Sequence, residues 1–507
     1  MAHDHMLTSG EEFVTSLAII RGGLLPELLS EIFAHCVPEV DGRKTSSRDR
    51  HATTQRYFHM NAPFKLLLVC KYWQHVALTT PRIWATIVLN HEAPLHVVSY
   101  DERVIAGLKR WIGRAGTCPL TIDVDTQCFP VCVKEEVVIR FLAKYARRWR
   151  HVRFIVERSL PLILDGLSRG VPRLEVLEVS VMEDEVSKYF NNLMRRRPPL
   201  VQAAFDFDAW APQRLSELML RRVNPRFIFH DRKPFGLRHL RVTSSIDVRE
   251  FWEVLRNCPR LVKATAFLAV PYGWPNGADI LTHTNVEELA IRCAEDLHPG
   301  GLFDHLSFPA LRRLAIEMKC LDPASGGSWP TFPEFLARSR AELRSLKLIS
   351  VPVTTEELHR CLQILPSLTK LELADVMITE GTLEALTPRN TEHGGVACLC
   401  PRLTYIHLEG VEIAPTAIEA FISSRWDGPS PATHHNFPQS LDSLSMIDQP
   451  HPENLGNDMQ LARLETVHFI NCGFSDKRMR GLIDQCRSRG VHLNVKVTET
   501  PTTTIAV

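Results

Sequence analysis

A short apolar pattern, L-x-x-L-x-L with substitutions, recurs along most of this 507-residue chain. Copies start at Leu261, Val286 and Leu311, a constant step of 25 residues, and the copies at Leu343 and Leu368 are separated by the same step. A period of about 20–29 residues is typical of chains that stack one strand-containing unit per repeat. Further copies start at Leu174, Leu215, Leu237, Leu403, Leu441 and Leu464. The stacking of such units therefore constrains the fold more than any other feature of the sequence.

The residue order within each copy predicts a short strand. Because alternate side chains of a strand point to opposite faces, the fourth and sixth residues should face the core, and the third and fifth should face outward. Helical patterns return after some copies, as over 356–365 and 477–486. One strand–helix unit cannot bury its apolar face alone, whereas stacked units share a continuous core. The predicted fold is α/β, with an N-terminal helical segment followed by a curved leucine-rich-repeat solenoid of strand–helix units.

Two amphipathic helices are predicted before the repeats. One helical face carries Leu25, Leu28, Leu29, Ile32 and Phe33, and after a polar segment at 41–61 a second helix is predicted over 63–79. Pro81 ends this helix, and Trp84 begins an extended segment. The apolar face of the second helix consists of Leu66, Val69, Cys70, Trp73 and either Val76 or Ala77. These helices either form a small cap that buries its own faces or bind a helix of a partner.

The remaining boundaries follow from composition and weaker patterns. Strands are predicted at 119–124 and 152–156, with a helix ending near 145–149 between them, and they are interpreted as degenerate first repeats. The predicted organisation is a disordered N-terminus at 1–20, a helical domain at 21–90 with its long loop at 41–61, a linking region at 91–165, repeats at 166–497 and a flexible tail at 498–507.

Composition excludes several classes of protein. Lys and Arg number 59 against 58 Asp and Glu, which argues against a dedicated nucleic-acid-binding protein. No apolar run approaches the ~18 residues that cross a bilayer, and the first residues lack the pattern of a signal peptide. Thirteen scattered cysteines do not resemble a disulfide framework. The sequence therefore predicts a cytoplasmic or nuclear protein that binds neither nucleic acid nor membranes.

The sequence also lacks the chemical motifs of common enzymes and metal sites. Cys128 and Cys132, or Cys398 and Cys400, have no second pair of ligands at zinc spacing. The sequence contains no Gly-x-Ser-x-Gly elbow, no phosphate-binding glycine-rich loop and no dinucleotide fingerprint. A non-enzymatic protein without metal or cofactor is predicted, and an enzyme with a sparse site is the remaining alternative.

The predicted repeat register places several cations and aromatic residues on the outward side of the strands. Such a surface could bind an acidic or phosphorylated segment of a client protein. Because Glu178, Glu217, Glu288 and Glu372 fall on the same side, an ordinary solvated sheet face is the competing interpretation. The candidate client-binding residues are His239, Arg241, Lys263, Arg313, Lys347, Lys370, Tyr405 and His407, with His468 at an equivalent position.

Three blocks near the N-terminus resemble the F-box as it occurs in many fungal F-box proteins. They are Leu24 to Phe33, Leu68 to Ala77 and Pro81 to Trp84, and the resemblance covers about 24–90. It implies docking to a Skp-family adaptor and, through that adaptor, to a cullin-based (SCF) ubiquitin ligase. The adaptor contacts that the resemblance implies are Leu25, Pro26, Leu28, Leu29, Ile32, Phe33, Leu68, Val69 and Trp73.

The later repeats look like the cysteine-containing leucine-rich repeats that often accompany F-boxes. This resemblance runs from about 170 to 497. Together, the two resemblances imply a substrate-recognition adaptor whose repeats bind a client protein that the sequence does not identify. The alternative is a leucine-rich-repeat interaction scaffold that has no role in a ubiquitin ligase.

Overall fold

The computed structural model describes residues 24–37, 62–89, 100–126, 134–182, 201–230, 234–269, 279–294, 298–318, 328–390, 396–411, 413–427, 461–470 and 484. The chain forms two compact units, Met1–Ile246 and Asp247–Val507. Several predicted features lie outside the described residues: the segment 1–20, the loop 41–61, the repeat copy at Leu441, the helix at 477–486 except residue 484, and the tail 498–507.

The first unit begins with helices and continues with alternating strands and helices. Its helices are α1 (Pro26–Cys36), α2 (Ala62–Leu67), α3 (Lys71–Thr79), α4 (Tyr100–Arg114), α5 (Glu135–Ala143), α6 (Leu160–Ser168) and α7 (Phe207–Trp210), with 3-10 turns at Pro81–Trp84 and Ala146–Arg148. Its strands are β1 (Thr86–Leu89), β2 (Leu120–Asp125), β3 (Trp149–Val156), β4 (Val176–Val181), β5 (Val201–Asp206), β6 (Glu217–Arg221), β7 (Val223–Ile228) and β8 (His239–Asp247). Strands β1, β2, β3, β4, β6 and β8 pair in this order, all in parallel, whereas β5 pairs with β7 in a separate ladder.

The second unit repeats the alternation of strand and helix. Its helices are α8 (Val248–Asn257), α9 (Gly300–Phe303), α10 (Thr331–Ser339), α11 (Thr355–Gln363), α12 (Glu380–Leu386) and α13 (Pro415–Asp427). Its strands are β9 (Lys263–Ala269), β10 (Leu281–Thr282), β11 (Glu288–Cys293), β12 (Leu306–Ser307), β13 (Arg313–Glu317), β14 (Ser345–Ile349), β15 (Lys370–Ala374), β16 (Arg389–Asn390), β17 (Val396–Ala397), β18 (Tyr405–Glu409) and β19 (Thr466–Ile470). Strands β9, β11, β13, β14, β15, β18 and β19 pair in this order in one parallel sheet.

The register of these strands follows the repeat pattern. The fourth residues of successive copies lie opposite one another, from Leu346 to Leu371 to Ile406 to Val467, and all four are buried. Backbone pairing extends one residue before each strand, where the N–H of Thr369 donates to the carbonyl of Arg344 at 2.9 Å. Every apolar copy within the described residues therefore coincides with a strand of a parallel sheet, and the predicted mixed α/β class is confirmed.

The region between the helices and the first clear repeat also has the predicted elements. Strands β2 and β3 lie close to the two strands predicted at 119–124 and 152–156, and α5 lies between them. Each strand presents alternate buried apolar residues to the same core, including Ile122, Val152 and Phe154. Strand β1 extends this sheet by one further member.

Two details of the N-terminal helices differ from the prediction. The prediction of a single helix over 63–79 is wrong, because the chain forms two helices there: α2 ends at Leu67 and α3 begins at Lys71. Cys70 is extended (φ −162°, ψ 167°), and its Sγ accepts a hydrogen bond from the N–H of Trp73 at 3.4 Å, which caps the new helix. Trp84 does not start an extended segment either; it is the buried last residue of a 3-10 turn, and strand β1 follows.

One carboxylate joins three segments of the first unit. Glu135, in the first turn of α5, accepts hydrogen bonds from the Thr126 hydroxyl (2.6 Å) and from the N–H groups of Glu157, Arg158 and Ser159 (2.8, 3.0 and 2.7 Å). Burial alone would raise the pKa of Glu135, but these hydrogen bonds outweigh it and hold the pKa below its ordinary value. The carboxylate thus fixes the turn that follows β3.

We expect Glu135→Gln to destabilise the protein in a pH-dependent way. A carboxyl group whose pKa is lowered by folding stabilises the fold above its unfolded pKa of about 4.3, and that contribution is lost as the pH falls through the lower folded value. Urea denaturation should therefore give the variant a lower free energy of unfolding than the wild type at pH 7. This difference should shrink below about pH 4. The exposed neighbour in Glu136→Gln serves as the matched control. Parallel pH profiles for wild type and Glu135→Gln would contradict this role.

A buried arginine organises the end of the second unit. Arg425, in the last turn of α13, donates to the carbonyls of Leu386 (2.7 Å), Leu399 (3.2 Å), Cys400 (3.3 Å) and Pro401 (3.3 Å). The residue is 1% exposed. Its guanidinium therefore pairs the carbonyls of Leu386 and Leu399, and it adds a second donor to those of Cys400 and Pro401, which also accept from backbone N–H groups.

Arg425→Met should lower the free energy of unfolding by about 3 kcal/mol, because methionine fills much of the space but leaves the carbonyls of Leu386 and Leu399 without the guanidinium donor. Urea denaturation followed by tryptophan fluorescence measures this change. Arg402→Ala, at an exposed position of the same turn, should change stability by less than about 0.5 kcal/mol. Equal stabilities for the two variants would rule out the structural role of Arg425.

Candidate functional site

The apolar stripe of α1 has a buried part and an exposed part. Leu29 and Phe33 are 1% and 0% exposed, and the Phe33 ring lies 5.0 Å from the ring of Trp73 on α3. Leu28 and Ile32 are 52% and 43% exposed. The stripe is therefore wider than the surface that α2 and α3 cover, and one side of it faces solvent.

The turn between α2 and α3 adds two further apolar side chains to the exposed surface. Leu68 and Val69 are 84% and 58% exposed, because the helix break turns them away from the core that Leu66 enters. The Tyr72 hydroxyl donates to the carbonyl of Leu24 at 2.6 Å, which links the start of α1 to the first turn of α3. Partial burial, followed by the charge of Glu27, raises the pKa of Tyr72 and keeps it a neutral donor.

The nine residues that the F-box resemblance implied thus occupy three environments. Leu29 and Phe33 are core residues, and Pro26 and Trp73 are half-buried. The other five are exposed, and Leu24, which was not among the nine, is exposed beside them. We refer to these six exposed residues as the apolar surface: Leu24, Leu25, Leu28, Ile32, Leu68 and Val69.

A charged pair lies beside this surface. Arg82 Nη1 contacts Glu31 Oε1 at 2.6 Å, and both side chains are more than half exposed. Such a pair contributes little to stability because water screens it. It gives the apolar surface a polar neighbour, as in protein interfaces that have an apolar centre and a polar rim.

An aromatic cluster attaches the N-terminal helices to the rest of the first unit. The rings of Phe64, Trp84 and Trp111 lie 5.2–5.8 Å from one another in edge-to-face geometry. Trp84 Nε1–H donates to the carbonyl of Ala77 at 2.8 Å, and the Arg114 guanidinium lies 4.5 Å from the centroid of the Trp84 ring. The helices that carry the apolar surface are therefore packed on α4.

In the first unit, the structure places two of the candidate client-binding residues on β8. His239 Nδ1 lies 3.3 Å from Glu217 Oε1 on the neighbouring strand, and Arg241 is exposed two residues further along. The register aligns Glu217 with His239, which brings this carboxylate beside the imidazole.

In the second unit, glutamates stand between the candidate cations. Glu288 accepts from Lys263 (2.9 Å) and from Arg313 (2.6 Å), one on each neighbouring strand. Glu372 accepts hydrogen bonds from Lys347 on the neighbouring strand (2.9 Å) and from Lys370 on its own strand (2.6 Å). Burial alone would raise the pKa of Glu372, but the hydrogen bonds from the two lysines outweigh it and lower the pKa.

Aromatic and imidazole rings continue this outward face at β15, β18 and β19. Lys370 Nζ lies 4.3 Å from the centroid of the Tyr405 ring, and Tyr405 Oη is 3.5 Å from Nδ1 of His468. The rings of His407 and His468 are 5.7 Å apart, and His407 Nε2 is 3.4 Å from Glu409. The structure therefore brings the predicted outward residues of this unit onto one sheet face, where their charges are largely paired.

Metal sites and membrane spans are absent from the residues that the structure describes. Within them, no group of three or more His, Cys, Asp or Glu side chains could hold a metal ion. No helix in these ranges combines the length and the hydropathy that a membrane span requires. Neither family models nor curated proteins give a match to this chain.

The two sides of α1 should respond differently to truncation. Phe33→Ala should lower the free energy of unfolding by about 3–5 kcal/mol, because it leaves a cavity against Trp73. Leu28→Ala should change it by less than about 1 kcal/mol, because half of its side chain already faces water. Urea denaturation of both variants measures the difference. Similar losses for both would mean that Leu28 is buried in solution and would remove it from the apolar surface.

Proposed function

We propose that this chain is the substrate-recognition subunit of a cullin-type ubiquitin ligase. In this proposal, the helical segment at 21–90 acts as an F-box that docks to a Skp-family adaptor. The parallel strand–helix units act as a leucine-rich-repeat solenoid that holds a client protein. The chain itself contributes no catalytic residue, metal or cofactor.

The observation that carries the proposal is the exposure of the apolar surface. Five of the residues that the resemblance assigns to adaptor contact stay in solvent: Leu25, Leu28, Ile32, Leu68 and Val69. Large aliphatic side chains grouped on one short helix and the turn beside it are typical of a surface that packs against a partner helix. Leu29 and Phe33 support the same surface from beneath because they fix α1 against α3.

The alternative function is an interaction scaffold whose N-terminal helices only cap the repeats. A cap has an apolar side toward the repeats and a polar side toward solvent. The first part of this description fits the cluster of Phe64, Trp84 and Trp111. The second part does not fit α1, whose solvent side carries Leu28 and Ile32. The exposed leucines therefore favour a docking role over simple capping.

The repeats support the proposal in a second way. The parallel register, with one strand per repeat, is the arrangement expected of a leucine-rich-repeat array. The outward face of the second unit carries paired charges with Tyr405, His407 and His468, a mixture suited to polar contacts with a protein. By binding both the adaptor and a client, the chain would raise the concentration of the client near the transferred ubiquitin.

The proposal is tested by the binding of the intact chain to a purified Skp-family adaptor. We expect a stable complex for the wild type, and an affinity reduced about a hundredfold or more by Leu28→Glu combined with Ile32→Glu, because buried interface anchors of this kind each contribute roughly 2 kcal/mol. Isothermal titration calorimetry or surface plasmon resonance measures the change. Variants of Leu29 or Phe33 are unsuitable for this test, since they would also disturb folding.

Two exposed apolar residues far along the chain provide matched controls. Ile280 is 53% exposed and Met377 is 58% exposed, so Ile280→Glu and Met377→Glu introduce the same charge at comparable surface positions. Both should retain wild-type affinity for the adaptor. Failure of the wild type to bind, or binding that survives the double substitution on α1, would refute the ligase role and leave the scaffold.

A further inference from the structure

An open cleft of about 590 Å³ lies at the edge of the first unit where strands β2, β3, β4 and β6 begin. Its residues come from the turns that precede β2, β4 and β6 and from the start of β3, so the cleft is distinct from the outward strand face. Its lining consists of Pro119, Arg150, Pro172, Arg173, Glu175, Gln213 and Arg214.

The repeat places arginines at one position of successive turns. Arg148, Arg173 and Arg214 each stand directly before the first apolar residue of their repeat. Because neighbouring strands are about 4.8 Å apart, such residues form a row. The Arg148 guanidinium donates hydrogen bonds to the carbonyls of Cys118 (3.0 Å) and Ala115 (3.4 Å) and therefore has a structural role. Arg173 and Arg214 are exposed and line the cleft.

The charges of the cleft are unbalanced, in contrast to those of the sheet faces. The only carboxylate among the lining residues is that of Glu175. It already accepts hydrogen bonds from Arg150 and His151, each at 3.1 Å. Arg173 Nη1 donates a hydrogen bond to the carbonyl of Thr117 at 3.1 Å. The other N–H groups of its guanidinium remain to bind a ligand. Three guanidinium groups therefore face one engaged carboxylate.

The chemistry of the exposed arginines in the cleft indicates which ligand it can take. Guanidinium groups match phosphate oxygens in geometry and form paired charge-assisted hydrogen bonds with them.

We infer that the cleft binds a phosphate group, held by Arg173 and Arg214 with Arg150 and the amide of Gln213 beside them. A phosphate carries close to two negative charges at pH 7, which matches three arginines against one glutamate better than a single carboxylate does. The phosphate could belong to a phosphorylated protein segment or to a small phosphorylated molecule. The inference goes beyond the proposed function and holds or fails independently of adaptor binding.

Calorimetric titration of the intact chain with two probes tests the inference. The probes are inorganic pyrophosphate and a phosphoserine pentapeptide with neutral flanking residues, the latter compared with its unphosphorylated form. We expect saturable binding that Arg214→Ala weakens about tenfold and Arg173→Ala combined with Arg214→Ala weakens further, since each removes a charge-assisted contact. Tighter binding of the peptide points to a protein-borne phosphate, and tighter binding of pyrophosphate points to a small molecule.

The repeat itself supplies controls for nonspecific charge effects. Arg260 and Arg402 occupy the same Pro-Arg-Leu position as Arg173, are exposed, and do not line the cleft. Arg260→Ala and Arg402→Ala should bind both probes within about twofold of the wild type. The inference is overturned if the wild type binds neither probe, or if the control variants lose as much affinity as the cleft variants. Unchanged thermal melting of Arg214→Ala would exclude loss of folding as the cause of weaker binding.

Discussion

The strands of successive repeats pair in parallel and in one register, and the rest of each unit depends on this pairing. A strand of five residues such as β15 has polar backbone groups along both edges, and neighbouring strands pair them. The same pairing aligns Leu371 with Leu346 and Ile406 in a buried aliphatic row. A slip of one residue would bring Lys370 or Glu372 into that row. The register also sets opposite charges side by side on the outward face, as for Glu288 between Lys263 and Arg313.

Most of the sheet could be predicted from the sequence because its signal is periodic. Each apolar pair, such as Leu371 and Leu373, marks a strand, and the repeat step indicates that the strands stack. The break between α2 and α3 could not be predicted in this way. Leu66 and Val76 continue the helical periodicity across the break. The cap formed by Cys70 does not change the spacing of apolar residues in the sequence. The buried side chain of Arg425 was equally hidden, since its partners are carbonyl groups 24–39 residues earlier in the chain.

The candidate site was predictable as a set of residues but not as a surface. Apolar spacing puts Leu28, Leu29, Ile32 and Phe33 on one side of a helix, and it does not say which half of a wide stripe the neighbouring helices will cover. That division depends on the crossing of α1 with α3, where Phe33 meets Trp73. On the repeats, the register did predict the outward positions. Their pairing with glutamates follows from which strands become neighbours, and it replaces a cationic surface with a balanced one.

The attachment of α1–α3 to α4 bears on how a docking segment could serve a recognition unit. A flexible linker would let a bound adaptor sample many orientations, and effective concentration would fall as the linker lengthened. Here, the helices are joined to the first sheet by the ring contacts of Phe64, Trp84 and Trp111. Each ring pair contributes about 0.5–1.5 kcal/mol beyond simple burial. The hydrogen bond from Trp84 to Ala77 ties the turn before β1 to α3 in the same way. A partner bound on the apolar surface would therefore take a fixed orientation relative to the strands of the first unit, including the arginine-lined edge, so geometry rather than chain flexibility would decide which part of a client it reaches.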